Sequence, residues 1–250
     1  MRKDILVGLD DRATPKTWTR RLERDAGEIA RRLPRDLLEL HSAVVDRARD
    51  AAAHGLILSG STARSRRTPI SDLDYHLIGP RLVTRDLCSQ LDLHALTPAE
   101  LDDHILAGDD FVQWSLRFGL IVFDDGHLRR AATLIATSKP WPDADRKRRQ
   151  AAKSIDLARR MVASGDQDAA QEQVRTALSL AARAQLLGAG VFPGARDELP
   201  QQLAEVGLHQ FGEALASTIH ANNVPLGELD IAVELCEVLV GARHDAVSLA

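Results

Sequence analysis

Two aspartates, Asp72 and Asp74, stand two residues apart in the segment SDLDYHLI. Alternation along an extended chain turns both carboxylates to one face, within a few ångströms of each other. Two like charges so placed call for a cation. Hard oxygen ligands suit magnesium, which takes one or two carboxylates and fills its other positions with water and substrate phosphate. Eleven residues ahead of Asp72, an apolar run, Leu56-Ile57-Leu58, is followed by a break at Gly60-Ser61. A turn that lacks a Cβ lets backbone amides approach a phosphate, and the hydroxyl beside it adds a donor. Anion site and cation site would then face each other. Downstream, the run Leu91-Asp92-Leu93-His94 puts Asp92 and His94 on one side and the leucines on the other. If that side is the one shared by Asp72 and Asp74, three carboxylates converge beside the turn, with Asp86, Asp109 and Asp110 as nearby alternatives to Asp92.

The elements that must position these groups are legible as changes of period. Trp18, Leu22, Ala26, Ile29 and Leu33 recur every three or four residues, which predicts a helix capped by Thr14, with Pro15 at its first position and Pro34 at its end. A second helix is expected from about Asp36 to Ala53, with Leu37, Leu40, His41, Val44, Val45 and Ala48 on one face and Gly55 as its terminator. Short strands follow at 56–58, 72–78, 91–95 and 120–123, with a polar loop from Thr62 to Ser71. Helical segments lie at 98–106 and 109–118. The punctuation SKPWPD marks a boundary, after which residues 144–164, 167–187, 197–206, 208–221 and 226–241 all carry helical spacing, as in a four- or five-helix bundle. The expected fold is a mixed α/β N-terminal domain followed by an all-α bundle. Its parts are a helical extension over 1–34, a catalytic domain over 35–137 and the bundle over 144–250.

The segment LSGSTARSRRTPISDLDYHLI, with LDLH after it, resembles the polymerase-β-type nucleotidyltransferase superfamily, and within it the minimal and antibiotic nucleotidyltransferase branches. The resemblance covers about residues 36–125, including FVQWSLRFGLIVFDDG; the second half is similar in architecture to HEPN-like or substrate-binding bundles. Many relatives read Ala-Arg-Gly where this chain has Ala63-Arg64-Ser65. The resemblance implies transfer of a nucleoside monophosphate from a nucleoside triphosphate, ATP foremost, to an acceptor hydroxyl. Gly60 and Ser61 would hold the terminal phosphates and Asp72 and Asp74 magnesium. A second ion, held also by Asp92, would activate the hydroxyl for in-line attack on the α-phosphorus. Arg64 or Arg67 would contact the triphosphate by bidentate bonds. The leading acceptor is a small hydroxylated molecule bound between the two domains. RNA or a partner protein, as in toxin and antitoxin systems, is the alternative, and a nucleotide-binding module without transfer activity is a further one.

Other polar residues have plainer readings. His76 and His94 share faces with the aspartates, where packing or a bond to a carboxylate is expected ahead of metal ligation. Trp114 and Phe118, four apart, and Tyr75, which alternates away from the aspartates, are expected in the core. The run Arg146 to Arg149 is expected to be a solvated helical face, with phosphate contact as its functional alternative. Glu172 and Arg175 are spaced to pair on a helix, Glu172 being otherwise a candidate base.

Composition bounds the rest. A chain of 250 residues, 44% hydrophobic and 27% charged, can bury a sizeable core in one or two domains. Its net charge of -4 is uneven: 20 basic and 21 acidic groups over 1–137, 10 and 6 over 138–195, 2 and 9 over 196–250. A general nucleic-acid coat is not expected, since that affinity comes from cations neutralising phosphates, although local basic patches stay open; the acidic end is expected to be a solvated surface, with attraction of a cationic acceptor of aminoglycoside type as its functional alternative. Cys88 and Cys236 show neither CxxC nor Cys/His spacing, so no disulfide framework and no structural zinc site is expected. No apolar stretch of spanning length and no secretory leader is visible, so a cytoplasmic protein is expected.

Overall fold

The computed structural model describes residues 15–68, 71–83, 91–138, 141–221 and 223–241. They fall into two compact units that part between Trp141 and Pro142. Thr14, Asp86 and Cys88, named above, lie outside the described residues.

The first unit contains helices α1 (Pro15–Arg32) and α2 (Arg35–Asp50), then strand β1 (Gly55–Leu58), a one-turn helix α3 (Gly60–Ala63), and strands β2 (Leu73–Ile78) and β3 (Leu91–Leu96). Helices α4 (Pro98–Leu106) and α5 (Asp110–Phe118), strand β4 (Leu120–Asp124) and helix α6 (His127–Ser138) complete it. The sheet order is β3-β2-β1-β4, with β1 antiparallel to both its neighbours and β2 parallel to β3. Two of the sequence boundaries are corrected. Gly55 does not end α2 but opens β1, where a Cβ would meet Leu128 at 2.9 Å, so the strand lies too close to α6 for a side chain. The supposed loop from Thr62 begins inside α3.

Side-chain alternation divides the core into two layers. On one face Leu56, Leu58, Leu73, Tyr75 and Leu77 pack with Leu37, Val44, Val45 and Ala48 of α2 and with Ile29 and Leu33 of α1. On the other, Ile57, Ile78, Leu96 and Ile121 pack with the buried residues of α4, α5 and α6 and with Trp18. Covering both faces explains why β2 is buried almost throughout, although its sequence alternates apolar and polar residues. Helix α4 starts on a capping box in which Thr97 and Glu100 satisfy each other's backbone N–H groups.

The first helix is part of this core rather than an extension to it. Strand β4 ends the sheet and would present unpaired amides. Asp25, fully buried, accepts the N–H of Ile121 at 3.0 Å. Arg21 pairs with Asp25 at 3.4 Å and donates to the Leu116 carbonyl at 2.7 Å. The Trp18 indole donates to Asp124 Oδ2 at 2.8 Å, and Asp124 in turn accepts N–H groups from Gly126, Leu128 and Arg129 at the start of α6.

In the second unit α7 (Ala144–Ser164) and α8 (Gln167–Gly188) form a hairpin, followed by α9 (Leu199–Glu205), α10 (His209–His220) and α11 (Leu226–Gly241). Its core includes Ala151, Ala158, Ala170, Ala177, Ala181 and Ala182 on the two long helices, small side chains that let helix backbones approach closely, beside Ile155, Val174, Leu178, Leu199, Leu203 and Leu229. Cys236 is buried there as a free thiol, its ionisation pushed up to about 12 by desolvation and by Glu237. No helix among the described residues is long and apolar enough to cross a membrane.

Because Asp25 is both the acceptor for an edge amide and the counter-charge of a buried guanidinium, Asp25→Ala should destabilise the first unit by about 3 kcal/mol or more. Urea unfolding measures this. A loss below about 1 kcal/mol, the scale of an exposed pair, would show that α1 is only appended to the sheet.

Candidate active site

The carboxylate row is set by strand register. Parallel pairing places Asp74 opposite Asp92 and His76 opposite His94, so the four side chains stand in two adjacent rows on the face covered by α4, α5 and α6. That cover is graded. Ile78 and Leu96 are buried at the far end. In the middle row His76 is buried, its Nε2 3.0 Å from the Ser115 hydroxyl of α5, while His94 is exposed. At the near end Asp74 is half-buried and Asp92 open to water. Asp72, exposed just before β2, joins this end.

The three carboxylates act on one another. Burial, and then the charges of Asp92 and Asp72, push the Asp74 carboxyl up to about 6, with Arg67 acting in the opposite sense. His76 is driven down to about 4 by burial and by neighbouring His94, against the pull of Asp109, and is therefore a neutral packing residue.

Gly60 closes the other side. Its φ is +64°, and a Cβ built on it would fall 1.8 Å from Asp74 Oδ2. Both the backbone conformation and the contact demand glycine. The backbone N–H of Ser59 donates to the Asp74 carbonyl at 2.8 Å, which ties the turn to β2. Ser61 follows in α3, and its carbonyl accepts the N–H groups of Arg64 and Arg66 at 3.2 and 2.9 Å, curling the chain back. At Ser65, where many relatives of the resembled branches carry glycine, φ is +57°. The chain thus keeps the left-handed turn and bears the strain of a side chain in it.

The two arginines differ in what they do. Arg67 donates to the Asp72 carbonyl at 2.9 Å and to the Thr62 hydroxyl at 3.4 Å, bracing the loop against the first carboxylate. Arg64 lies with its guanidinium 4.7 Å above the Phe118 ring. Phe118 and Trp114, rings 5.6 Å apart, are only partly buried and not full core residues. Tyr75 is buried, as its alternation predicts, with its hydroxyl 2.7 Å from His41 Nδ1.

Of the alternatives to Asp92, Asp109 is occupied as the cap of α5, accepting from Phe111 and Val112, and Asp110 begins that helix. In the second unit, Arg148 and Arg149 pair with Asp145 and Asp143. Arg175, 3.7 Å from Glu172, also donates to the Thr218 and Ala221 carbonyls at the end of α10. Sequence reading missed Phe111, which is 51% exposed and packs its ring on His76 and His94 at 4.5 and 5.5 Å. It also missed a cleft of about 650 Å³ between the α1–α2 corner and the loop after α3, lined by Arg31, Arg32, Asp36, Thr62, Ser65 and Arg67 among others. No single-sequence signal brings residues 31–37 to residues 62–68.

No protein-family model matches the chain. No curated protein matches it either. Among solved structures it is similar to the crystal structure of a nucleotidyltransferase-like protein from Exiguobacterium sibiricum 255-15, at 16% identity over 81% of this chain and 74% of that chain, with a TM-score of 0.42. A likeness of that size assigns no role to any residue.

Two measurements follow from this geometry. Ser65→Gly should stabilise the fold by up to about 1 kcal/mol, the relief of a side chain in the left-handed region less the extra chain entropy of glycine; a destabilised variant in urea would contradict the strain. For Asp74, the folded chain keeps a proton that the unfolded chain has released between its ordinary value of 3.8 and about 6. Stability from this group is complete below that window and is lost as pH rises through it. In metal-free buffer, Asp74→Asn should therefore gain stability relative to the parent between about pH 4 and pH 7. An unchanged difference between the two proteins would place the titration elsewhere.

Proposed function

We propose that this chain is a magnesium-dependent nucleotidyltransferase that moves a nucleoside monophosphate from a nucleoside triphosphate, ATP foremost, to a hydroxyl of a small-molecule acceptor. The observation that carries the reading is the meeting of Asp72, Asp74 and Asp92 on one sheet face, with the bare Cα of Gly60 against Asp74.

The donor set fits a divalent cation. Three carboxylates share one stretch of surface, and burial, then the charges of Asp92 and Asp72, raise the Asp74 carboxyl with only partial compensation from Arg67. Asp72, Asp74 and Asp92 would hold magnesium, which when bound neutralises phosphate charge and lowers the pKa of an acceptor hydroxyl. The chain's own groups do the positioning. Gly60 leaves its side-chain space to the Asp74 carboxylate, and the Ser61 hydroxyl beside it would offer a donor to a phosphate. Arg67 keeps the loop and Asp72 in register. The adjoining cleft is lined by Arg31, Arg32 and Arg67 with Asp36; Glu28 pairs with Arg31 and Arg32, and the remaining guanidinium majority suits the triphosphate better than a cationic acceptor. In the transfer, the acceptor hydroxyl gives up its proton to solvent or a site carboxylate as its oxygen bonds to the α-phosphorus, the bond from that phosphorus to the bridging oxygen breaks, and pyrophosphate leaves.

The test incubates the purified protein and Asp72→Ala with each α-labelled nucleoside triphosphate, magnesium and host lysate, and follows label into small-molecule, nucleic-acid and protein fractions. Label is expected in the small-molecule fraction with the parent. Asp72→Ala should lower it by about 100-fold or more, the scale on which one electrostatic stabiliser of a transition state acts. Label in RNA or protein would keep the reaction and replace the acceptor, whereas equal labelling by parent and variant would refute transfer.

A further inference from the structure

A second cluster of ligating side chains stands at the opposite end of β1. His54 immediately precedes the strand, its N–H donating to the Ile78 carbonyl at 2.7 Å and its carbonyl accepting from Asp125 N–H at 2.9 Å. Asp125 and His127 flank Gly126 in the turn from β4 into α6. Both imidazoles bring Nδ1 to the same carboxylate: His54 lies 2.7 Å from Asp125 Oδ2 and His127 2.7 Å from Oδ1. The rings are 4.3 Å apart between centroids, and one ligating atom from each residue lies within 4.8 Å of the others. Their side chains are 38%, 49% and 31% exposed, so an ion from solvent can reach them.

We propose that His54, Asp125 and His127 bind one divalent transition-metal ion of the zinc type. Two imidazole nitrogens and a carboxylate oxygen are a three-ligand set that zinc accepts, with water completing the coordination. The same nitrogens disfavour magnesium, which prefers oxygen throughout. Ligands about 2.0–2.1 Å from a tetrahedral ion sit about 3.3–3.5 Å from one another, so the hydrogen-bonded groups must open by about 0.6 Å, within reach of side chains this exposed. An imidazole that coordinates through Nδ1 keeps its proton on Nε2, so the ion replaces two N–H···O bonds without forcing either ring to carry charge.

This site is separate from the aspartates. The six residue steps of largely extended chain from His54 to Gly60 span about 20 Å, too far for one ion to serve both. The bound ion would clamp the start of β1 to the β4–α6 turn, joining segments 71 residues apart. Spacing of that length explains why no ligand motif is visible in the sequence.

The experiment uses the untagged full chain, stripped of metal and titrated with Zn²⁺, and with Co²⁺ as a spectroscopic probe. With excess Mg²⁺ present throughout to occupy the Asp72, Asp74 and Asp92 carboxylates, one Zn²⁺ or Co²⁺ ion per chain is expected at micromolar concentration, with visible cobalt absorption of low-coordinate type. His54→Ala and His127→Ala should each weaken binding by more than about tenfold, the loss that even an outer partner of a metal ligand causes. Zn²⁺ should raise the Tm of the parent and leave that of either histidine variant unchanged, with circular dichroism confirming that the variants fold. Asp72→Ala should bind as the parent does. Absence of binding in the parent, binding that survives both histidine substitutions, or binding lost in Asp72→Ala would each overturn the proposal.

Discussion

Asp74 holds its carboxylate where a side chain on Gly60 would have to be, and that contact depends on the chain leaving β1 with a left-handed residue directly after Ser59. Without glycine there, β2 could not keep the Asp74 carboxylate against the turn. The rest of the first unit serves that approach. The Ser59–Asp74 backbone bond joins the turn to β2, Arg67 ties the returning loop to Asp72, and parallel pairing brings Asp92 beside Asp74. Since like charges side by side oppose folding, the arrangement must be held by the apolar layers on either side of the sheet.

Those layers also decide which polar groups meet water. Asp74, His76 and Ile78 lie on one face of β2, yet they occupy three environments, because α4, α5 and α6 cover the strand's far end and middle but not its near end. The result is a passage from apolar core through a neutral, hydrogen-bonded His76 to three carboxylates. At the opposite edge α1 solves a different problem: a buried Asp25 supplies the acceptor that β4 would otherwise seek in another strand.

Much of this organisation was legible. The helices of both units follow from three-to-four spacing, and the strands from short apolar or alternating runs. The candidate site was legible because its strongest signals are local: Gly60-Ser61, the Asp72/Asp74 pair and the alternation that turns Asp92 with His94 are each contained in a few residues. The failures were of another kind. Gly55 looked like a helix terminator because glycine commonly is one, whereas α6 requires it in a strand. The helix Pro15–Arg32 looked appended because the partners of Arg21 and Asp25 are about a hundred residues away. Arg64 and Arg67 looked equivalent, and only their neighbours, Phe118 for one and the Asp72 carbonyl for the other, tell them apart.

The sequence by itself determined the elements, the residues that can bear charge and the face on which each strand residue stands, because these depend on backbone periodicity and side-chain chemistry within one segment. Tertiary structure decided that β3 joins β2 in parallel, that His54 meets Asp125 and His127, and that residues 31–37 face residues 62–68 across a cleft. Such meetings depend on which surfaces bury each other, and burial is a property of the assembled core that no single segment carries.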